Sequence, residues 1–248
     1  DLGNDGKYYE LQNHAVVRME PGSTFKTIAL MAALDDNNID FNDSIEVWKD
    51  GWKYYGSNHI DAHPADTTYS IRQALAVSSN IALARIITEG YGGSAKKFVR
   101  KLERMGVCDS VDYIIPGADQ SKIDIPKDTV TISKMAYGYS VKLSPLQMAM
   151  LYNGIANDGK LISPILVENV KKDDEILEEF ESEVIQSSMC SSKTLKEIKS
   201  CLHDVVWDND LGTASVYKWR GHIAKYKAQS QLVAIAGKTG TAQVFENG

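Results

Sequence analysis

The sequence predicts a mixed α+β protein whose middle part is dominated by helices. Apolar residues recur at helical spacing in several stretches between residues 24 and 206, and this periodicity is the main sequence signal for helices. The hydrophobic stretch QLVAIAGKTGTAQV, residues 231–244, is the best strand candidate. With 248 residues, 43% of them hydrophobic and 24% charged, the chain is long enough to bury the core of one large domain or two small ones.

The first half of the chain divides into three predicted helices and one irregular segment. Residues 24–35 favour a buried helix that ends at a polar turn. The aromatic, turn-rich stretch 40–68 predicts an irregular excursion, and residues 70–90 are helical in composition. Ser94 is a candidate N-cap for the next helix, with Gly106 just past its end.

The second half contains two further predicted helices and two predicted strands. Residues 144–147, Ser-Pro-Leu-Gln, have the pattern of a capping box with proline at the first helical position, so a helix is predicted from there to about residue 157. Residues 160–170 favour a strand, and residues 195–206 favour an amphipathic helix. The acidic stretch 173–183 predicts a solvated loop or a short helix face.

Charge and cysteine content exclude several function classes. The net charge is −6, from 27 basic and 33 acidic residues without a long basic run, so a nucleic-acid partner is not indicated. Cys108, Cys190 and Cys201 are odd in number and widely spaced, which argues against a disulfide framework and a cysteine-based zinc site. All apolar stretches are far shorter than the ~18 residues of a membrane span.

Ser23 and Lys26 form an S-x-x-K pattern at the start of the first predicted helix. A spacing of three puts both side chains on one helical face, about one turn apart. A hydroxyl beside an amine at a helix N-terminus is a candidate activated nucleophile with its base. The alternative from these residues alone is an N-cap serine and a solvated lysine.

Two further short motifs follow. Ser78-Ser79-Asn80 lies inside the helical stretch 70–90, and Ser78 and Asn80 face the same place only if the helix breaks there; a plain N-cap is the alternative. Lys238-Thr239-Gly240 continues the hydrophobic stretch near the C-terminal end. Its glycine permits close approach of another backbone.

In this order, S-x-x-K, S-x-N and K-T-G resemble the motifs of penicillin-recognising acyl-serine transferases. The surrounding segments PGSTFK, SSNIALA, MAYGYSVKLSPLQMAMLYNGIANDGK and AGKTGTAQ resemble the transpeptidase domain of class B (monofunctional) penicillin-binding proteins. The resemblance extends over nearly the whole chain, residues 1–248, as one transpeptidase domain. It implies a β-lactamase/transpeptidase-like fold, an antiparallel sheet flanked by helices with a large helical subdomain.

The resemblance also implies roles for individual residues. Ser23 would be the nucleophile, Lys26 its base, and Ser78 a proton relay toward the leaving group. The implied substrate-binding residues are Asn80, Lys238, Thr239, Gly240 and Thr241. Among them Asn80 would hold the substrate amide and Lys238 and Thr239 its carboxylate, while the backbone N–H groups of Ser23 and Thr241 would form the oxyanion hole.

The implied activity is peptidoglycan D,D-transpeptidation through an acyl-serine intermediate, inhibited by β-lactams. Alternatives are a β-lactam-hydrolysing enzyme or D,D-carboxypeptidase on the same site, or a non-catalytic β-lactam sensor or scaffold. No cofactor is implied. The implied partners are stem peptides, β-lactams and cell-wall synthesis proteins such as a glycosyltransferase or division or elongation proteins.

Three features compete with this interpretation. His59, Asp61 and His63 are spaced like metal ligands, but two histidines and a carboxylate in a polar loop favour a structural role, so no metal is predicted. Tyr137-Gly138-Tyr139 lies near the place where class D β-lactamases carry Y-G-N, without the asparagine. No E-x-x-L-N stretch of the class A β-lactamase type is present.

Compared with the family pattern, few residues precede Ser23 and follow Thr241. The apolar strand pair that normally precedes the nucleophile, and the strands after K-T-G, are not recognisable. We therefore expect an incomplete sheet, in an internal piece of a longer protein with a single-pass membrane anchor outside this chain and its catalytic domain on the extracytoplasmic side.

Overall fold

A computed structural model describes residues 4–9, 13–108, 123–215, 218–219, 222–223 and 229–240. Its helices are α1 (Lys26–Asp35), α2 (Ile71–Ala76), α3 (Asn80–Gly90), α4 (Ala95–Arg104), α5 (Thr131–Met135), α6 (Pro145–Ala156) and α7 (Ser192–Trp207). Its strands are β1 (Ser44–Val47), β2 (Trp52–Tyr54), β3 (Ser57–His59), β4 (Thr67–Ser70), β5 (Leu161–Ile162), β6 (Asn169–Lys172), β7 (Glu175–Glu179), β8 (Val184–Gln186), β9 (Lys218–Trp219) and β10 (His222–Ile223).

Helix α1 lies at the centre of the core. One turn of 3₁₀ helix, Gly22–Phe25, leads into it and is called the Ser23 turn below. All side chains of α1 from Lys26 to Leu34 are buried, as expected for a helix that is apolar on nearly every face. Helices α3 and α7 pack on α1, and α2 packs on α7. The predicted buried helix over 24–35 is confirmed.

The predicted helix ends are also largely confirmed, because their signals are local. Ser94 accepts a hydrogen bond from the Lys97 amide at the start of α4, and Ser144 and Gln147 form the capping box of α6. The predicted helix over 70–90 is divided into α2 and α3. The division lies at the S-x-N motif.

The strand predictions are less accurate. Residues 40–68 are not an irregular excursion, because β1 pairs antiparallel with β4 and encloses the β2–β3 hairpin. The acidic stretch 173–183 was expected to be a loop or helix face, but it contains β7, which pairs with β6 although every residue of β7 is exposed. Both segments form through pairing with a partner strand, which a local pattern does not reveal.

The strand prediction over 231–244 is wrong for residues 231–240, which have no regular secondary structure; the rest lies outside the described residues. This segment packs along α7 instead of pairing with a neighbouring strand. The Gly237 amide donates to the Leu202 carbonyl at 3.2 Å, and the Trp207 indole N–H donates to the Ile235 carbonyl at 2.8 Å. Leu232 stays 94% exposed, so the hydrophobic pattern here does not mark a buried strand.

The mixed α and β class is confirmed. Within the described ranges every sheet is an antiparallel pair, and none is wider than two strands, so the larger sheet implied by the resemblance is not seen there. None of the described helices has the length and apolar character needed to cross a bilayer.

Candidate active site

The Ser23 turn is held from two sides. The Gly22 amide donates to the Gly138 carbonyl at 3.3 Å, and Gly138 has a φ of +88° with its backbone against Gly22, where a Cβ would lie 2.1 Å from the Gly22 oxygen. Only glycine fits there. On the other side the Tyr152 hydroxyl lies 2.8 Å from the Thr24 carbonyl oxygen. Ser23 is therefore presented on a fixed backbone.

Lys26 is fully buried one turn beyond Ser23. Its Nζ donates to the Ser78 carbonyl at 2.6 Å and lies 3.0 Å from the Ser78 hydroxyl. Burial, with the nearby charge of Lys238, holds the pKa of Lys26 well below its ordinary value, and the charge of Asp61 opposes this shift. The Ser23 hydroxyl itself has no hydrogen-bond partner within the described part of the chain.

The S-x-N motif forms a corner between α2 and α3, defined here as residues 78–80. Ser79 caps α3 by accepting a hydrogen bond from the Ala82 amide at 3.0 Å. Ser78 has a φ of +59°, which is uncommon for a residue with a side chain. This break brings the side chains of Ser78 and Asn80 to one cavity, which meets the condition stated for the S-x-N motif in the sequence analysis.

The K-T-G lysine reaches the same serine. Lys238 Nζ lies 2.8 Å from Ser78 Oγ, so this hydroxyl lies between two lysine side chains. Burial lowers the pKa of Lys238 to about 8. If Lys26 is neutral, the Ser78 O–H donates to Lys26 Nζ and accepts from the Lys238 ammonium, and every group has a partner.

The other two K-T-G residues contact neighbouring elements. Thr239 Oγ1 lies 2.8 Å from Thr213 Oγ1. A Cβ on Gly240 would lie 2.7 Å from the Thr24 methyl group, so the glycine allows the segment to approach the Ser23 turn, with a side chain and not a backbone as the nearest neighbour. Thr241, the predicted oxyanion-hole residue, lies outside the described residues.

These residues surround a cavity of about 520 Å³. The predicted residues that line it are Ser23, Lys26, Ser78, Asn80 and Thr239. Lys238 contacts the lining residue Ser78, and Gly240 lies against Thr24, beside the cavity. The arrangement places the Ser23 hydroxyl and a buried amine with a lowered pKa at one cavity, and these are the elements of acyl transfer through a serine.

Other cavity residues carry little recognisable signal in the sequence. Thr213 follows α7 with no recognisable motif around it, and its amide donates to the Ala76 carbonyl at 3.1 Å. Asp61 and His63, considered above as metal ligands, also line the cavity. Across the described ranges, no group of three or more His, Cys, Asp or Glu side chains is placed to hold a metal ion.

Comparison with known proteins identifies the family. The model of the penicillin binding protein transpeptidase domain matches residues 3–248. Similar curated proteins include penicillin-binding protein PbpB of Mycolicibacterium smegmatis, 25% identical over 90% of this chain and 33% of the relative. Another is the probable peptidoglycan D,D-transpeptidase PbpC of Pseudomonas aeruginosa, 26% identical over 58% of this chain and 25% of the relative.

Solved structures share the fold. Penicillin-binding protein 2X from Streptococcus thermophilus superposes with a TM-score of 0.72 at 20% identity, over 85% of this chain and 30% of that one. The TP domain of Burkholderia pseudomallei penicillin-binding protein 3 gives 0.67 at 22% identity, over 82% of this chain and 58% of that one. The chain spans about a quarter to a third of the length of the two curated relatives above. With its family model matched over almost its full length, this chain belongs to the penicillin-binding protein transpeptidase domains.

Proposed function

We propose that this chain is the catalytic domain of a peptidoglycan D,D-transpeptidase that works through an acyl-serine intermediate. The observation that carries the proposal is the Ser78 hydroxyl, shared by Lys26 at 3.0 Å and Lys238 at 2.8 Å beside the Ser23 cavity. In this arrangement Lys26 can act as a base beside the Ser78 hydroxyl, and Lys238 can stay charged while it donates to the same hydroxyl. The names of similar curated proteins support the same activity.

In the first half-reaction Ser23 Oγ attacks the carbonyl carbon of the penultimate D-Ala of a stem peptide. The oxygen–carbon bond forms, the peptide bond to the terminal D-Ala breaks, and Lys26 accepts the hydroxyl proton. A lysine acts in this way near neutrality only if its pKa lies well below its ordinary value, and burial shifts the pKa of Lys26 in that direction. Ser78 gives its hydroxyl proton to the departing amine and takes the proton that Lys26 accepted, which returns Lys26 to its neutral form.

The substrate is held at three places in this proposal. Lys238 and Thr239 bind the terminal carboxylate, the group that β-lactams share. Asn80 donates its side-chain N–H to the Ile60 carbonyl at 2.8 Å, while its Oδ1 accepts no hydrogen bond within the described ranges and is left for a substrate amide N–H. The amides of Ser23 and Thr241 stabilise the oxyanion; loss of one such donor typically costs about 10²–10³ in rate.

In the second half-reaction an amine of another stem peptide attacks the acyl-serine ester, releasing Ser23 and forming the cross-link. Because peptidoglycan lies outside the cytoplasmic membrane, the working location is the extracytoplasmic side. The wider cell-wall synthesis partners and the membrane anchor expected above remain predictions.

A fluorescent penicillin tests the proposal and separates it from hydrolysis on the same site. We expect one covalent label per chain that persists for hours, because the sequence contains no E-x-x-L-N stretch of the kind that class A β-lactamases use for deacylation. Loss of the label within seconds would indicate a β-lactamase. With a D-Ala-D-Ala stem peptide and an amine acceptor, release of D-Ala without cross-linked product would indicate a carboxypeptidase, and a chain that is never acylated would indicate an inactive scaffold.

A further inference from the structure

The segment of residues 163–183, called the acidic hairpin below, contains β6 and β7, which pair antiparallel with each other. Its base is attached to the rest of the protein, because β5 directly before it pairs with β8 directly after it, and the Gln186 side chain donates to the Arg104 carbonyl at 3.1 Å. Every residue of β7 is exposed. A hairpin of two strands is only marginally stable in water by itself, so this one would gain stability from a partner that covers it.

Large apolar side chains are exposed along the acidic hairpin. Leu166, Val167, Ile176 and Leu177 each expose between 50% and 64% of their surface, and Phe180 is 38% exposed. Single apolar residues on a surface are ordinary, but several within one short segment form a patch of the kind that marks an interaction site.

Part of this apolar surface lines a cavity of about 880 Å³ at the place where the two chains of the acidic hairpin separate. The Ser163 amide donates to the Glu183 carbonyl at 2.8 Å, and the Phe180 amide donates to the Glu168 carbonyl at 2.9 Å. Between these two bonds, no backbone hydrogen bond of the described chain joins residues 164–167 to residues 181–182, so their backbone groups are open to another chain. The apolar lining is Pro164, Ile165, Leu166, Val167 and Phe180, and the acidic lining is Glu179, Glu181 and Glu183.

The excess negative charge of the whole protein lies in the acidic hairpin. Residues 163–183 contain eight acidic residues and two lysines, which give a net charge of −6. The complete chain also has a net charge of −6, so the rest of it is balanced, with 25 acidic and 25 basic residues. Within the described ranges none of the eight carboxylates is in an ion pair. A patch of one charge sign attracts a partner of the opposite sign and speeds its association.

We propose that the acidic hairpin docks a partner protein through an extended segment in which basic and apolar side chains alternate. The apolar side chains of that segment pack beside Leu166 and Phe180, and its Lys or Arg side chains pair with the unpaired carboxylates at the cavity edge. Its backbone pairs with the open residues 164–167, as in recognition by strand addition. Alternation follows because successive side chains of a strand point to opposite faces.

The charge also selects against other occupants. A second copy of this chain would bring another net charge of −6 to the same place, and an anionic lipid surface would be repelled in the same way. No residue of the acidic hairpin lines the cavity around Ser23, so a docked partner leaves that cavity open. The inference does not depend on the function proposed above.

The test measures binding of a fluorescent peptide of about eight alternating Lys and Val residues, the length of an ordinary strand, to the full chain by anisotropy. Peptides of alternating Lys and Ser, and of alternating Glu and Val, are the controls for the ligand. The variants are Leu166→Ser and the double variant Glu179→Lys/Glu181→Lys. The matched control is Asp50→Lys/Glu103→Lys, which changes the net charge equally at two exposed carboxylates elsewhere.

We expect saturable binding of the Lys/Val peptide at one site. Glu179→Lys/Glu181→Lys should weaken it about tenfold at low salt, because two attractive pairs become repulsive. Leu166→Ser should weaken it by about a further tenfold when combined with nothing else than the wild-type charges, because a large apolar contact is lost. Asp50→Lys/Glu103→Lys should stay within about twofold of the wild type. The melting temperatures should agree, since all these positions are exposed.

A wild-type chain that does not bind the Lys/Val peptide would overturn the proposal. Equal weakening by the two charge variants would indicate attraction to the overall charge, and equal binding of the Lys/Ser peptide would remove the role of the apolar surface. A dimer of the free chain in sedimentation that Leu166→Ser dissociates would assign this surface to a second copy. Flotation with phosphatidylcholine vesicles that Leu166→Ser abolishes would assign it to a lipid surface, and each of these results would contradict the proposed partner.

Discussion

Lys26 and Lys238 bind the same hydroxyl from opposite regions of the molecule. Lys26 lies on α1, fully buried among core side chains, whereas Lys238 is only partly buried on a segment without regular secondary structure. The preceding stretch 231–236 is exposed throughout. Ser78 therefore contacts one lysine from the most buried part of the described chain and another lysine from one of its most exposed parts.

This difference supports the opposite roles proposed for the two lysines. Burial removes the Lys26 ammonium from water and lowers its pKa strongly, which favours the neutral base. Lys238 keeps a pKa of about 8 and stays mostly charged at neutral pH, which suits an anion-binding group. The following predictions test this division, from the largest expected effect to the smallest.

Ser23→Ala should abolish covalent penicillin labelling, because it removes the only atom proposed to form the ester. The fold should be retained, since the Ser23 side chain makes no hydrogen bond within the described ranges. Intact-protein mass spectrometry and circular dichroism measure the two properties. An adduct that persists in this variant would assign the nucleophile to another residue.

Lys26→Met should lower the acylation rate constant k2 by a factor of about 10²–10⁴, the usual contribution of a general base. The noncovalent dissociation constant Ks should change little. Because the folded chain binds the Lys26 proton less tightly than the unfolded chain, the lysine costs stability at neutral pH, so the methionine variant should melt no lower than the wild type. Lys199→Met, which removes a partly buried lysine of α7 that pairs with Asp158, serves as the control. Near-normal acylation of the Lys26→Met variant would refute the role of Lys26 as the general base.

Lys238→Ala should weaken acylation by a carboxylate-bearing β-lactam about tenfold to a hundredfold, the value of a hydrogen bond to a charged group. Its effect on the matching ester should be much smaller. Stopped-flow acylation of both compounds measures this. Equal losses for the two compounds would mean that Lys238 acts by lowering the pKa of Lys26 and not by binding the carboxylate.

Thr213→Val should give the smallest effect, an increase in Ks of about two- to tenfold with k2 nearly unchanged. The substitution keeps the side-chain shape and removes the hydroxyl 2.8 Å from Thr239 Oγ1, a neutral hydrogen bond of modest net value. Measurement of Ks for the variant and for the wild type tests this prediction. A fall in k2 with constant Ks would place Thr213 in the chemical step instead.

The sequence could predict the parts of this molecule that depend on local signals. The capping box at Ser144, the cap at Ser94 and the helix break at the S-x-N motif all depend on neighbours within four residues, and all are observed. The S-x-x-K spacing likewise follows from a single helical turn.

The remaining parts depend on contacts between distant segments. Thr213 lines the cavity because its amide bonds to Ala76 at the end of α2, and Asp61, which follows the β2–β3 hairpin, accepts a hydrogen bond from the first turn of α3. Residues 231–240 have a strand-like pattern, but no strand forms there because their backbone bonds to α7 instead of to a neighbouring strand. No local pattern contains this information.

The pH dependence of k2/Ks for a penicillin, measured on the wild type and Lys238→Ala, tests the division between the two lysines most directly. Loss of the neutral Lys26 as pH falls gives an acid limb well below the 10.5 of an ordinary lysine. Loss of the Lys238 charge as pH rises gives an alkaline limb near 8, which Lys238→Ala should lack. A wild-type rate that instead climbs about tenfold per pH unit from 7 to 10 would show that Lys26 is protonated at neutrality, and would contradict the account.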